Sequence, residues 1–241
     1  MKDGFSFGGK STADFAMHAE KYPGLGAPRR KVTKVQVPGR NGDLHYDEGA
    51  FKNYTQRYEC YFHGEQSAPD MAHGVKGWLL GAAGYRRLED VYDPTHFRMA
   101  SFTGPMDVEN SLNQYGRCVV EFDCMPQAFL KIGEFPVEFT ANGTLYNQTE
   151  FVALPLVRLY GSGTGSVGIG GVAVQVLEIE DQLVLDCESM NCYRDGGEGA
   201  AENKNSAIDA PVFPSLGPGE NAIILSGGIT KIEIIPRWWE L

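Results

Sequence analysis

The sequence has no surplus of positive charge: 21 Lys and Arg stand against 31 Asp and Glu, a formal net charge of -10. A chain that grips nucleic acid along its backbone needs a net basic face, so no specific nucleic-acid partner is expected. Long apolar runs are missing too. No stretch approaches the ~18 residues of a membrane helix, and Met1-Lys2-Asp3-Gly4-Phe5 offers no apolar signal region. The expectation is a soluble chain without a membrane anchor or conventional secretion. Cysteine is scarce: Cys60, Cys118, Cys124, Cys187 and Cys192 are odd in number, with no C-x-x-C and no closely spaced Cys/His set. Free thiols inside strands are expected, in place of a disulfide framework or a zinc site.

Glycine is plentiful, with 30 residues, beside 13 prolines and 42% hydrophobic residues. Many short strands joined by tight turns suit that mixture better than long helices, so the fold class is mainly β. A length of 241 residues allows one large β domain or two modest ones. Charge favours two. Residues 1–135 hold 16 Lys and Arg against 17 Asp and Glu, while residues 136–241 hold 5 against 14, and all five histidines fall in the first part.

The most informative stretch is Val37-Pro38-Gly39-Arg40-Asn41-Gly42-Asp43-Leu44. Pro38 fixes φ, and Gly39 and Gly42 permit positive φ, so the segment from Lys31 to Val37 can fold back onto Leu44 to Asp47 as a hairpin. Further strand-like segments are Asp14 to His18, Tyr54 to His63, Tyr85 to Val91, His96 to Phe102 and Gln114 to Cys124. One helix interrupts them. Ser67 is its N-cap, Pro69 lies in the first turn, and Asp70 is placed to complete a capping box. Met71, Val75, Trp78, Leu79 and Ala82 form one stripe that packs on the first-half sheet, and Gly84 can close the C-terminus. Gln127 to Pro136 reads as a linker, placing a boundary near residue 134 and giving domains 1–134 and 135–241. The second half shows short strands at Pro136 to Thr140, Leu154 to Tyr160, Val172 to Ile179, Leu183 to Asp186, Asn221 to Ser226 and Ile229 to Ile235. They suggest a β-sandwich, with Arg194 to Pro211 as a long exposed loop.

Each candidate for chemistry has a plainer explanation. Gly163-Thr164-Gly165-Ser166-Val167-Gly168 matches G-x-G-x-x-G, but Ile169-Gly170-Gly171-Val172 leads into another strand and not the helix a pyrophosphate requires. Glu178, Glu180, Asp181, Asp186 and Glu188 could supply a glycosidase pair, although alternation in Val176-Leu177-Glu178-Ile179-Glu180 suits a half-buried strand. His63, Glu65, Asp70 and His73 lie close in sequence without a metal-ligand spacing. No G-x-S-x-G or Cys/His signature accompanies a nucleophile. Arg29-Arg30-Lys31 with Lys34 reads as a solvated or subunit-facing strand. In the terminal Pro236-Arg237-Trp238-Trp239-Glu240-Leu241, the two tryptophans should face opposite ways, one to the core and one available for contact. No catalytic, cofactor or metal residue is assigned, and the interface residues stay unassigned.

The hairpin Val37 to Leu44, the helix end Gly77-Trp78-Leu79-Leu80, and Gly84-Tyr85-Arg86-Arg87-Leu88 followed by Asp93 resemble the distal tail proteins of long-tailed phages. Leu185-Asp186-Cys187, the segment Phe213 to Asn221 and Ile232-Glu233-Ile234-Ile235-Pro236-Arg237 extend that resemblance through the second half. It implies an N-terminal, β-sandwich-like ring domain with one α-helix and a C-terminal galectin-like β-sandwich. Six copies would form a hub at the virion tail tip, made in the bacterial host cytoplasm. Implied partners are the tail tube protein, a tail-associated fibre or lysin hub, and receptor-binding proteins. It implies no enzyme activity and no cofactor. The hairpin's job would be assembly, a rigid reversal projecting strands toward a neighbouring subunit. Two other readings make different demands. A carbohydrate-binding module acting in host-surface adhesion would use Trp238, Trp239 or Tyr193, and a glycoside hydrolase would need Glu178 or Asp186.

Overall fold

The computed structural model describes residues 4–20, 23–24, 26–112, 114–196 and 201–241. Contacts divide the chain into a first unit ending at Ala128 and a second unit, Phe129–Glu240. Both are mainly β, and one α-helix is present among the described residues.

The first unit begins with β1 (Phe5–Phe7), β2 (Lys10–Ser11), β3 (Met17–Ala19), β4 (Arg30–Val35), β5 (Leu44–Phe51) and β6 (Tyr54–His63). It continues through α1 (Ala68–Gly81), β7 (Arg86–Asp90), β8 (His96–Ser101), β9 (Val108–Leu112) and β10 (Tyr115–Leu130), the last strand crossing the unit boundary. Its sheet runs β2-β1-β7-β8-β10-β6-β3, with β9 also pairing with β10. In β6, Gln56, Tyr58, Cys60 and Phe62 are buried while the residues between them are not, the period-2 pattern of a strand with one covered face.

Helix α1 covers that face. The Asp70 N–H donates to the Ser67 hydroxyl at 3.3 Å, and the hydroxyl donates to the Asp70 carboxylate at 2.6 Å. This satisfies one of the amide groups a helix start leaves open. Met71, Val75, Trp78 and Leu79 are buried in one core with Phe5, Phe7, Tyr58, Phe62 and Phe122. The Trp78 indole N–H donates to the Phe7 carbonyl at 2.9 Å, and its ring stacks on Phe15 at 4.9 Å. The helix ends earlier than its apolar stripe suggests. Ala82 is an extended C-cap, and Gly84, at φ +72°, turns the chain beyond it.

The second unit contains β11 (Val137–Phe139), β12 (Gly143–Asn147), β13 (Leu156–Ile169), β14 (Val172–Asp186), β15 (Asn191–Asp195), β16 (Ala201–Asn203), β17 (Ile208–Asp209), β18 (Gly219–Ile235) and β19 (Trp239–Glu240). The sheet order is β11-β18-β13-β14-β15-β16, with β12 on β18 and β17 on β14. Two strand pairs expected from the sequence, Val172 to Ile179 with Leu183 to Asp186 and Asn221 to Ser226 with Ile229 to Ile235, prove to be continuous strands with a bend, and the strand expected at Leu154 to Tyr160 runs on through the glycine motif as β13. Ladder registers shift between Gly163 and Gly165 in β13, and both halves of β13, β14 and β18 bury their apolar residues in one core. Val157, Leu159, Val167 and Ile169 are all fully buried there, as are Ile232 and Ile234. The sheet therefore curls over on itself to enclose a single core.

Two other expectations change. The segment expected as a linker carries the end of β10 and a 3₁₀ helix, Lys131–Glu134. The Leu130 N–H donates to the Trp238 carbonyl, and the Arg237 N–H to the Gly133 carbonyl, each at 2.9 Å, so backbone pairing outweighs Gly133 as a breaker. Within Arg194 to Pro211, residues 197–200 lie outside the described residues, while β16 pairs with β15 and β17 pairs with β14.

Candidate functional site

The glycine motif lies in the corner of the second sheet. A Cβ on Gly161 would overlap the Gly228 carbonyl oxygen, and one on Gly165 would lie 2.5 Å from the Ser226 carbonyl oxygen. Only glycine lets β13 and β18 approach this closely where they bend. Gly163 to Gly168 stay within β13 and lead to β14, with no helix start for a pyrophosphate.

The acidic group is dispersed into separate ion pairs. Asp186 and Glu188 both receive the Arg237 guanidinium, at 2.7 and 3.2 Å. Burial pushes the Asp186 carboxyl up, but the hydrogen bond and charge of Arg237 outweigh it and hold the group below its ordinary value. Glu180 pairs with Arg194 at 3.6 Å. Alternation fails in the middle of β14, where Leu177 and Glu178 are both exposed beside the β13 register shift. Glu178 and Glu180 share a recess of about 150 Å³ with Arg194 and Lys204, below the roughly 300 Å³ at which small-molecule sites begin.

His63, Glu65, Asp70 and His73 are not brought together, and among the described residues no three His, Cys, Asp or Glu side chains are grouped to hold a metal. Trp238 is buried in the second core, so its ring cannot present a face to a sugar. Trp239 stacks on Phe151 at 4.3 Å and donates its indole N–H to the Val152 carbonyl at 2.9 Å. Tyr193, in β15, is half-buried.

The basic run Arg29 to Lys34 leads into the most unusual element. Strands β4 and β5 form a two-stranded sheet of their own, and Val32 is the one residue from 29 to 49 that is not exposed. The Arg40 N–H closes the Pro38-Gly39 turn on the Val37 carbonyl at 3.2 Å, with Gly39 at φ +81°. Val35 pairs with Leu44, and Thr33 with Tyr46, so Val35, Leu44 and Tyr46 share one face. They are 46%, 47% and 67% exposed. Near the base, Arg30 pairs with Asp47 at 3.1 Å and lies over the Phe51 ring.

Opposite in charge is a groove of about 570 Å³ along β6 and β10, lined by Glu20, Glu59, Asp107, Glu109 and Glu121 together with Arg57 and Arg117. Arg57 reaches Glu59 at 3.7 Å and Glu121 at 3.8 Å, and Arg117 reaches Glu20 at 2.7 Å. Sequence reasoning missed this surface because its acids come from four separate segments. The available signal was the outward alternation of Arg57 with Glu59 and of Arg117 with Glu121.

No family model matches the chain, and no curated protein matches it. Among solved structures, it is similar to the SPP1 Dit (gp 19.1) protein, described as a paradigm of the hub adsorption apparatus in phages infecting Gram-positive bacteria. The likeness covers 99% of each chain at a TM-score of 0.74, with 13% sequence identity. At that identity the likeness is one of fold. The resemblance to distal tail proteins read from the sequence therefore holds in three dimensions, over both units of the chain.

Proposed function

We propose that this chain is a structural hub of a phage tail tip or baseplate. Six copies form a ring that joins the tail tube to the tail-associated fibre or lysin and to receptor-binding components. Residues 1–134 build the ring, and residues 135–241, a galectin-like sandwich, face the partners. The protein acts by binding and resides in the virion after synthesis in the host cytoplasm.

The likeness to a phage hub protein across 99% of both chains carries this reading, because it includes the ribbon-bearing unit and the acidic unit together. The free-standing ribbon supports it, since an isolated two-stranded hairpin is marginal in water and gains stability from a neighbour. A cyclic ring uses different patches on the two sides of each subunit, which suits a first half carrying both charge signs. The test is native mass and negative-stain imaging of the purified full chain. Six-fold rings are expected. Monomers throughout the micromolar range would overturn the reading, and glycan binding by those monomers would favour the adhesion module.

A further inference from the structure

We infer that the β4–β5 ribbon of one copy docks along the acidic β6–β10 groove of the next copy, and that this contact sets the head-to-tail order of the assembly. The inference rests on the hub reading and adds the two surfaces that meet. From Arg29 to Lys52 the ribbon has six Lys and Arg against three Asp and Glu, and Lys31, Lys34 and Arg40 are exposed. The groove reverses that balance, with five carboxylates against two arginines. Both surfaces belong to the same unit of the same chain. Every copy therefore carries the complement of its own ribbon, and the occupant is a second copy.

The apolar content of the ribbon points the same way. Val35, Leu44 and Tyr46 form a continuous exposed row on one face of a sheet with only two strands. A soluble chain gains by covering such a row and the unpaired strand edges beside it. The groove offers Pro105 and Val119 among its carboxylates, a mixed lining for a ribbon that is apolar on one face and basic along its length. Ribbon and groove are different surfaces, so the contact is heterologous and propagates until a ring closes. Charge at an exposed contact makes the association sensitive to salt.

The test uses the full chain in three forms: wild type, a ribbon reversal (Lys34→Glu with Arg40→Glu) and a groove reversal (Glu109→Lys with Glu121→Lys). All four positions are exposed, so the fold does not depend on their charge. Light scattering should show wild-type rings, and each reversal alone should raise the midpoint concentration for assembly at least tenfold. Mixing the two reversals in equal amounts should restore rings, because each ribbon then meets a groove of opposite charge, and that recovery would also show both variants to be folded. Rings from wild type that neither reversal weakens would overturn the docking and leave the hub reading standing. Reversals that weaken assembly but are not rescued by mixing would also overturn it. A wild-type chain that stays monomeric would overturn the hub reading itself.

Discussion

Gly161→Ala tests whether the glycine-rich segment of β13 is a corner. The added Cβ would overlap the Gly228 carbonyl oxygen and lie 3.0 Å from the Gly228 carbonyl carbon and the Ile229 Cα. These are backbone atoms of β18, the strand paired with β13 here, so no side-chain rotation relieves the overlap. Overpacking a close-packed interior costs about 1–3 kcal/mol, and a rigid backbone neighbour places this case near the top of that range. Loss of one ladder hydrogen bond adds about 1 kcal/mol. The sum is about 4 kcal/mol, or a fall of about 16 °C in the second unit's melting temperature at about 4 °C per kcal/mol. Gly163→Ala is the control. Its φ is +81° and nothing lies within 4 Å of its Cβ position, so only the left-handed backbone penalty of about 1–2 kcal/mol applies. Calorimetry of the full chain, with tryptophan fluorescence, reads the result, since Trp78 and Trp238 lie in different cores. A Gly161→Ala protein that melts like wild type, or no lower than Gly163→Ala, would refute the corner.

Two further predictions concern titratable groups. Asp93 accepts from Arg98 at 2.8 Å and contacts His96 at 2.7 Å; burial pushes its carboxyl up, but these partners outweigh that and hold it below its ordinary value of 3.8. A depressed folded value means the stabilisation is complete above the unfolded value and is lost as pH falls below about 4 and through the folded value. Asp93→Asn should thus cost the first unit about 1–3 kcal/mol at neutral pH and almost nothing once the wild-type carboxyl is protonated, as followed by urea unfolding against pH; an equal cost at both ends would contradict the pairing. The five cysteines are free and buried, with burial pushing Cys124 and Cys187 up to about 12 and Cys192 to about 11, while the hydrogen bond to Cys118, followed by burial, raises Cys60. Brief alkylation at pH 8 should leave the native mass unchanged and add five adducts in denaturant, and rapid labelling of the folded chain would contradict that burial.

Local signals read well wherever one rule dominated. Strand β6 and the cap of α1 follow from strict alternation and from Ser67, because a single covered face and a single N-cap leave little competition. Bends were harder. Asn221 to Ser226 and Ile229 to Ile235 read as two strands because Gly227-Gly228 resembles a turn, yet both halves bury their residues in one core and the strand runs on. Gln127 to Pro136 departs from a linker for the opposite reason: Leu130 is held by pairing with Trp238, a contact over a hundred residues away in sequence that local composition cannot reveal. The ribbon was legible as a hairpin but not as a free-standing sheet. That β4 and β5 pair only with each other among the described strands is a property of the fold, and the groove of matching charge is assembled from positions spread between Glu20 and Glu121.

The central claim is that this chain builds a ring, and the mass of the native assembly of the full chain tests it most directly. Six chain masses, with six-fold symmetry in the same particles and dissociation as salt rises, is the result expected of the hub. A single chain mass maintained from low to high micromolar concentration at low salt would contradict it.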